Sequence, residues 1–141
     1  MDEDDDYQAL RGFFAYFAAD HLGLTDALAP LEALEADSAA EAARGLRLAI
    51  EDCLELSAQT PAPEVRALDE ALAARGLPTL SDVRRDCWRR PRLALARGVA
   101  RTEAERRALL ALADSDVEPE LKARCRALAA ARRPSRAGGN V

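Results

Sequence analysis

A chain of 141 residues, 49% hydrophobic and 32% charged, is long enough for one domain to bury a core without metal or disulfide staples. Ala, Leu, Arg and Glu dominate and β-branched residues are scarce, which predicts an all-α fold, a single compact bundle of six to seven helices. No stretch approaches about 18 consecutive apolar residues, and MDEDDD lacks the basic start of a signal peptide, so a cytoplasmic protein with no membrane partner is expected.

The net charge of −5 conceals an asymmetry. Residues 1–80 carry 17 acidic and 5 basic side chains, a net of −12, while residues 81–141 carry 8 acidic and 15 basic, a net of +7. Such polarity either steers a charged partner or is neutralised between the halves within the fold. Both readings stay open at the level of sequence.

Residues 1–6 are expected to form a disordered acidic lead to a single domain over 7–132. Five of the six aromatic residues then fall within positions 7–17. At about 100° per residue, Tyr7, Leu10, Phe14, Phe17 and His21 share one helix face, with Phe13 at its edge. Gly12, Ala15 and Ala19 line a second, small-residue face open to another helix. Two buried faces make this the expected central helix, its three Phe rings each contributing roughly 1.5–3 kcal/mol. Gly23 ends it. A short helix follows over 26–36, with Pro30 in its first turn or breaking it.

Ser38-Ala-Ala-Glu41 has capping-box spacing and opens a helix to about Leu56, with Ala43, Leu46, Ile50, Cys53 and Leu54 inward. Glu51, Asp52 and Glu55 oppose the dipole at its C-terminal end, so helix stability does not account for them. They are either a solvated face or a binding edge. After the Ser57–Pro63 loop, Val65, Leu68 and Leu72 repeat at helical spacing over 64–75, and Gly76-Leu77-Pro78 stops the helix. Ser81 or Asp82 caps a helix carrying Val83, Cys87 and Trp88 that ends near Pro91, followed by a short helix over 92–97 ending at Gly98. Thr102-Glu-Ala-Glu105 opens the next, with Leu109, Leu110 and Leu112 inside. Pro119 falls in the first turn of a last helix over 117–132 with Leu121, Cys125 and Leu128 inward, and 133–141 is a polar tail expected to be disordered.

No catalytic constellation is present in the sequence: there is one His, no G-x-S-x-G, no Gly-rich phosphate loop and no HExxH pair. His21 reads as a core or edge histidine. Cys53, Cys87 and Cys125 are odd in number, far apart and outside C-x-x-C spacing, so they read as reduced structural thiols rather than a zinc site. No cofactor is expected and no enzyme activity. Tyr16 departs most from the aromatic face, and Asp20, one turn later, is placed to touch it. Arg84, Arg85, Arg89, Arg90 and Arg92 surround Trp88, a set that could grip phosphates and stack a base. The acidic half would repel a polyanion, however, so Trp88 reads as core and the arginines as partners of the acidic half.

The run L10-R-G-F-F-A-Y-F-A-A-D20, followed by a variable acidic segment and the helix L46-R-L-A-I-E-D-C-L-E-L56, resembles the contact-dependent growth inhibition immunity proteins, a group of small helical bacterial proteins. The residues that match their L-x-x-F-(F/L)-x-x-Y-F-x-x-D signature are Leu10, Phe13, Phe14, Tyr16, Phe17 and Asp20, with His21 where such proteins often place Trp. The resemblance covers residues 7–76. Beyond it, R97-G-V-A-R-T-E-A-E-R-R-A-L-L110 looks like a helical hairpin common in small bacterial proteins.

The resemblance implies a protein that binds and neutralises a cognate toxin C-terminal domain, commonly a nuclease. A carboxylate-rich surface suits that task, because a nuclease groove is basic. From charge alone the candidate contacts are Glu51, Asp52, Glu55, Asp69 and Glu70, joined by Tyr16 and Asp20 from the aromatic helix. The alternative is a regulatory adaptor that binds nucleic acid or an acidic protein through Arg84–Arg92. A homodimer is left open.

Overall fold

The computed structural model describes residues 3–131, which form eight α-helices and no strand. The polar tail and residues 1 and 2 of the acidic lead lie outside the described residues. Helix α1 (Glu3–Tyr16) begins four residues before the expected start and runs into a π-helical turn over Phe17–His21. The carboxylates of Asp4 to Asp6 in its first turn suit the helix dipole, so these residues extend the helix instead of leading up to it. Then follow α2 (Ala29–Asp37), α3 (Ala39–Ser57), α4 (Ala62–Ala74), α5 (Leu80–Cys87), α6 (Arg89–Arg97), α7 (Glu103–Ala113) and α8 (Pro119–Ala130).

Local chemistry accounts for most boundaries. Ser38 and Thr102 cap as expected, each hydroxyl accepting the backbone N–H three residues on. The reciprocal half of the Ser38 box is absent, because Glu41 pairs with Arg44, while Glu105 turns chiefly to the Arg101 N–H and Arg97. The full capping box belongs to Thr79 and Asp82, so the cap lies two to three residues before the Ser81 or Asp82 expected. Trp88, in an extended conformation, separates α5 from α6, so the break precedes Pro91 by three residues. Pro91 is the third residue of α6, where the missing N–H would have no intrahelical partner anyway. Gly76 and Gly98 sit at positive φ (71° and 79°) behind α4 and α6, the left-handed conformation that ends a helix and that glycine adopts without strain.

Two cores result. The first gathers Phe13, Phe14 and Phe17 with Leu46, Ile50 and Leu54 of α3, Val65 and Leu72 of α4, and Leu80, Val83 and Trp88. Helix α3 lies against α1, α2 and α5, so it stands in the middle of this core, a place the aromatic pattern predicts for α1. Ala42 rather than Ala43 faces inward on α3. The small-residue face of α1 receives a loop side chain instead of a helix: a Cβ at Gly12 would fall 2.6 Å from Leu77 Cδ2. Ala15 and Ala19 floor a shallow cleft closed by Leu24–Ala29. The second core is built from smaller residues, Ala94, Leu109, Leu112, Ala113, Cys125 and Ala129, where α6, α7 and α8 meet. Leu110, expected inside, is 41% exposed, its place being taken by Ala108 and Ala111 facing the first core. Helix α7 therefore serves both cores.

A polar clip holds α1 on α2. Tyr7 Oη donates to Glu35 at 2.5 Å, and Arg11 donates to both carboxylate oxygens of Glu35 at 2.7 and 3.1 Å. The Arg11 hydrogen bond first, then that of Tyr7, holds the Glu35 carboxyl below its ordinary value of 4.5. Burial and the neighbouring carboxylate push Tyr7 from 10.0 up to about 12. A carboxyl depressed in the fold contributes stability that is complete above its unfolded pKa and lost as pH falls through the folded one. Glu35→Gln is thus expected to flatten the loss of urea stability below pH 4.5 relative to wild type. A phenol raised in the fold acts in the opposite direction, so Tyr7→Phe should remove a loss that wild type shows between pH 10 and 12. Urea midpoints across pH for the three proteins check both.

Candidate functional site

The residues singled out for binding fall into two sets, those spent inside the fold and those left on its surface. At the end of α3, Glu55 accepts the indole N–H of Trp88 at 2.8 Å and the Nε of Arg90 at 2.9 Å. Glu51 accepts the backbone N–H of Arg89, the first residue of α6, at 3.1 Å. Its carboxyl is raised, first by burial, with the Arg89 backbone bond opposing. The acidic end of α3 that opposes its own dipole is therefore placed at the start of α6, where an N-terminus favours negative charge. Glu51 and Glu55 are an interhelix cap, not the open binding edge their charge suggests. Asp52, between them in sequence, points outward and is exposed.

Asp69 is likewise spent. It accepts the Ser81 N–H at 3.0 Å and the Ser81 hydroxyl at 2.5 Å, while the same hydroxyl accepts the Asp116 N–H at 2.8 Å. Ser81, read as a cap from the sequence, instead ties α4 to the turn after α7. Glu70 is exposed. Tyr16 is half-buried, and the Arg75 guanidinium lies 4.6 Å over its ring, within cation–π range. Arg75 also donates to the Ala71 carbonyl at 3.1 Å, drawing the end of α4 against the end of α1. The expected Tyr16–Asp20 contact is replaced by this one, and Asp20 is exposed on the π turn. The His21 ring lies tilted against Phe17, centroids 4.8 Å apart, with its Nε2 3.4 Å from Thr60 Oγ1, an edge histidine.

The arginine segment divides just as sharply. Trp88 is 1% exposed in the first core. Arg85 is bound by Asp86 and Asp82, Arg90 by Glu55, and Arg92 donates to the Asp86 carbonyl. Arg84 is the surprise, a guanidinium only 1% exposed. Its NH2 donates to the Ser57 carbonyl at 2.5 Å, and its NH1 donates to the Ala111 carbonyl at 3.0 Å and the Ser115 hydroxyl at 2.9 Å. Nε reaches Ser57 Oγ at 3.2 Å, and the guanidinium lies 5.6 Å from the Trp88 ring centroid. Ser57 ends α3, and Ala111 is in the last turn of α7, so one buried cation faces two helix C-termini. Burial pushes its pKa down to about 10, with Asp69 and Asp114 opposing the shift from farther off, so it stays charged at neutral pH. The sequence carries the signal: Leu80, Val83, Arg84 and Cys87 recur at one-face helical spacing.

Chemically this junction binds helices to one another. Among the described residues no group of three or more His, Cys, Asp or Glu comes together as a metal site. Burial raises all three thiols, Cys53 to about 12, so each is protonated at neutral pH.

Comparison of the chain with protein families, with curated proteins and with solved structures finds no match. In the Leu10–Asp20 run itself, one residue separates Phe14 from Tyr16 where the immunity-protein signature has two.

Each oxygen that Arg84 engages has a further bond of its own. The Ser57 carbonyl also accepts Thr60 N–H, the Ser57 hydroxyl donates to Leu54, and the Ser115 hydroxyl donates to the Ala111 carbonyl. Arg84→Met therefore orphans no acceptor and should cost about 1–3 kcal/mol, less than a broken buried ion pair. Arg84→Lys, with no fork to span Ser57 and Ser115, should cost more. Urea unfolding of both variants decides it, and a Lys variant as stable as wild type would show that charge alone suffices.

Proposed function

We propose that the protein is an immunity protein that binds a cognate toxin domain, a basic nuclease, and blocks it. The Leu10–Asp20 run carries the reading, through its resemblance to the immunity-protein signature. Its Phe residues form the first core, as a fold signature would, and so do not identify the contact surface.

The distribution of free charge supports a narrower contact surface than composition suggests. Glu51, Glu55 and Asp69 are occupied within the chain. Asp20 is exposed on the π turn that follows Tyr16, and Glu70 on α4, which Arg75 joins to Tyr16. We assign them as the toxin contacts. Arg84 is buried, and Arg85 and Arg90 pair with carboxylates of the chain, which reduces the cationic surface an adaptor would use.

Coexpression with the toxin domain encoded next to this gene tests the reading. Restored growth and a one-to-one copurifying complex are expected, and undiminished toxicity with no copurification would contradict it. Asp20→Lys and Glu70→Lys should each weaken the complex roughly fivefold to tenfold, mainly through slower association that high salt masks.

A further inference from the structure

On the outward side of α3, Ala40, Arg44, Leu48, Asp52 and Leu56 recur every fourth residue, and all five are exposed. Leu48 and Leu56, at 65% and 62%, are the most exposed large hydrophobic residues among the described residues. A single exposed leucine is ordinary; two on one ridge, two turns apart with a carboxylate between them, form a stripe that another helix can pack against.

We propose that this stripe is where two copies of the chain pair, α3 antiparallel to α3. The order along the ridge is small, positive, apolar, negative, apolar. A twofold axis through Leu48 sets Leu48 against its own copy and Arg44 against Asp52 of the second copy, and the reverse. The same axis sets Leu56 against Ala40, whose short side chain leaves it room. Parallel pairing would instead place Arg44 on Arg44 and Asp52 on Asp52, so the charges select one orientation.

The groups are available for this. Asp52 has no hydrogen bond or ion pair among the described residues, unlike Glu51 and Glu55 beside it. Arg44 uses NH1 on Glu41 at 2.9 Å in an exposed pair, which leaves its other N–H donors for a second carboxylate. The pairing leaves Asp20 and Glu70 out of the interface and does not depend on the immunity reading.

The oligomeric state of the full chain tests it, by sedimentation equilibrium over rising concentration. A reversible dimer is expected, dissociating on the order of 10–100 μM because one helix pair buries less than a standard interface. Leu48→Lys should abolish it with helix content unchanged. Arg44→Glu and Asp52→Arg should each weaken self-association roughly tenfold by setting like charges together. Mixing these two single variants should restore pairing, as a heterodimer, and so should combining both changes in one chain. A monomer throughout, a dimer indifferent to Leu48→Lys, or single variants that fail to pair when mixed would each overturn the proposal.

Discussion

One buried guanidinium sets the geometry of this molecule. Arg84 leaves water almost completely, at a desolvation cost of several kcal/mol for an ion in a protein interior. No carboxylate touches it. What stabilises it is a set of carbonyl and hydroxyl oxygens at the ends of α3 and α7, where the partial negative charges of two helix dipoles converge. A planar fork with five donors can bridge those ends, and it does so from α5, so three helices are fixed by one side chain. Helix α7 continues into the second core, and the bridge therefore also joins the two cores.

The same junction shows where the opposite charges of the two halves of the chain are spent. The acidic end of α3 meets the start of α6, Glu55 holds Trp88 and Arg90, and Asp69 holds Ser81 at the start of α5. Part of the −12 and +7 asymmetry is thus consumed between helices, where burial makes each bond count for more than a solvated pair would. The remainder stays on the surface, and two parts of it stand out. Asp20 is exposed on the π turn after Tyr16 and Glu70 on α4, and Asp52 lies between two exposed leucines on α3. Different tasks, toxin binding and self-association, are proposed for them.

Helices were legible in the sequence because their signals are local. The caps at Ser38 and Thr102, the stops at Gly76 and Gly98 and the inward repeat Leu46, Ile50, Cys53, Leu54 depend on neighbours within a turn or two. Errors arose where distant residues decide. Trp88 breaks the α5–α6 segment because its indole is drawn to Glu55, 33 residues away. Leu110 turns out because α7 has two cores to face and alanines suffice on one of them. Of the seven candidate contact residues, Asp20, Asp52 and Glu70 are exposed carboxylates, Tyr16 lies under Arg75, and Glu51, Glu55 and Asp69 are half-buried and bonded within the chain. Charge alone cannot tell a solvated carboxylate from one that caps a neighbouring helix. Arg84 was hidden by its company, since five arginines in nine residues read together as partners of the acidic half even though one of them shares a face with Leu80 and Val83.

If Arg84 and the α3–α6 cap join the two cores, they should open together. Native-state hydrogen exchange at low urea, read on the amides of α3 and α8, measures this most directly. The slowest amides of both helices are expected to exchange through one opening, with the same free energy and the same urea dependence. Exchange of α8 at a distinctly lower free energy, with α3 still protected, would mean that the cores are held separately and that the buried guanidinium does not couple them.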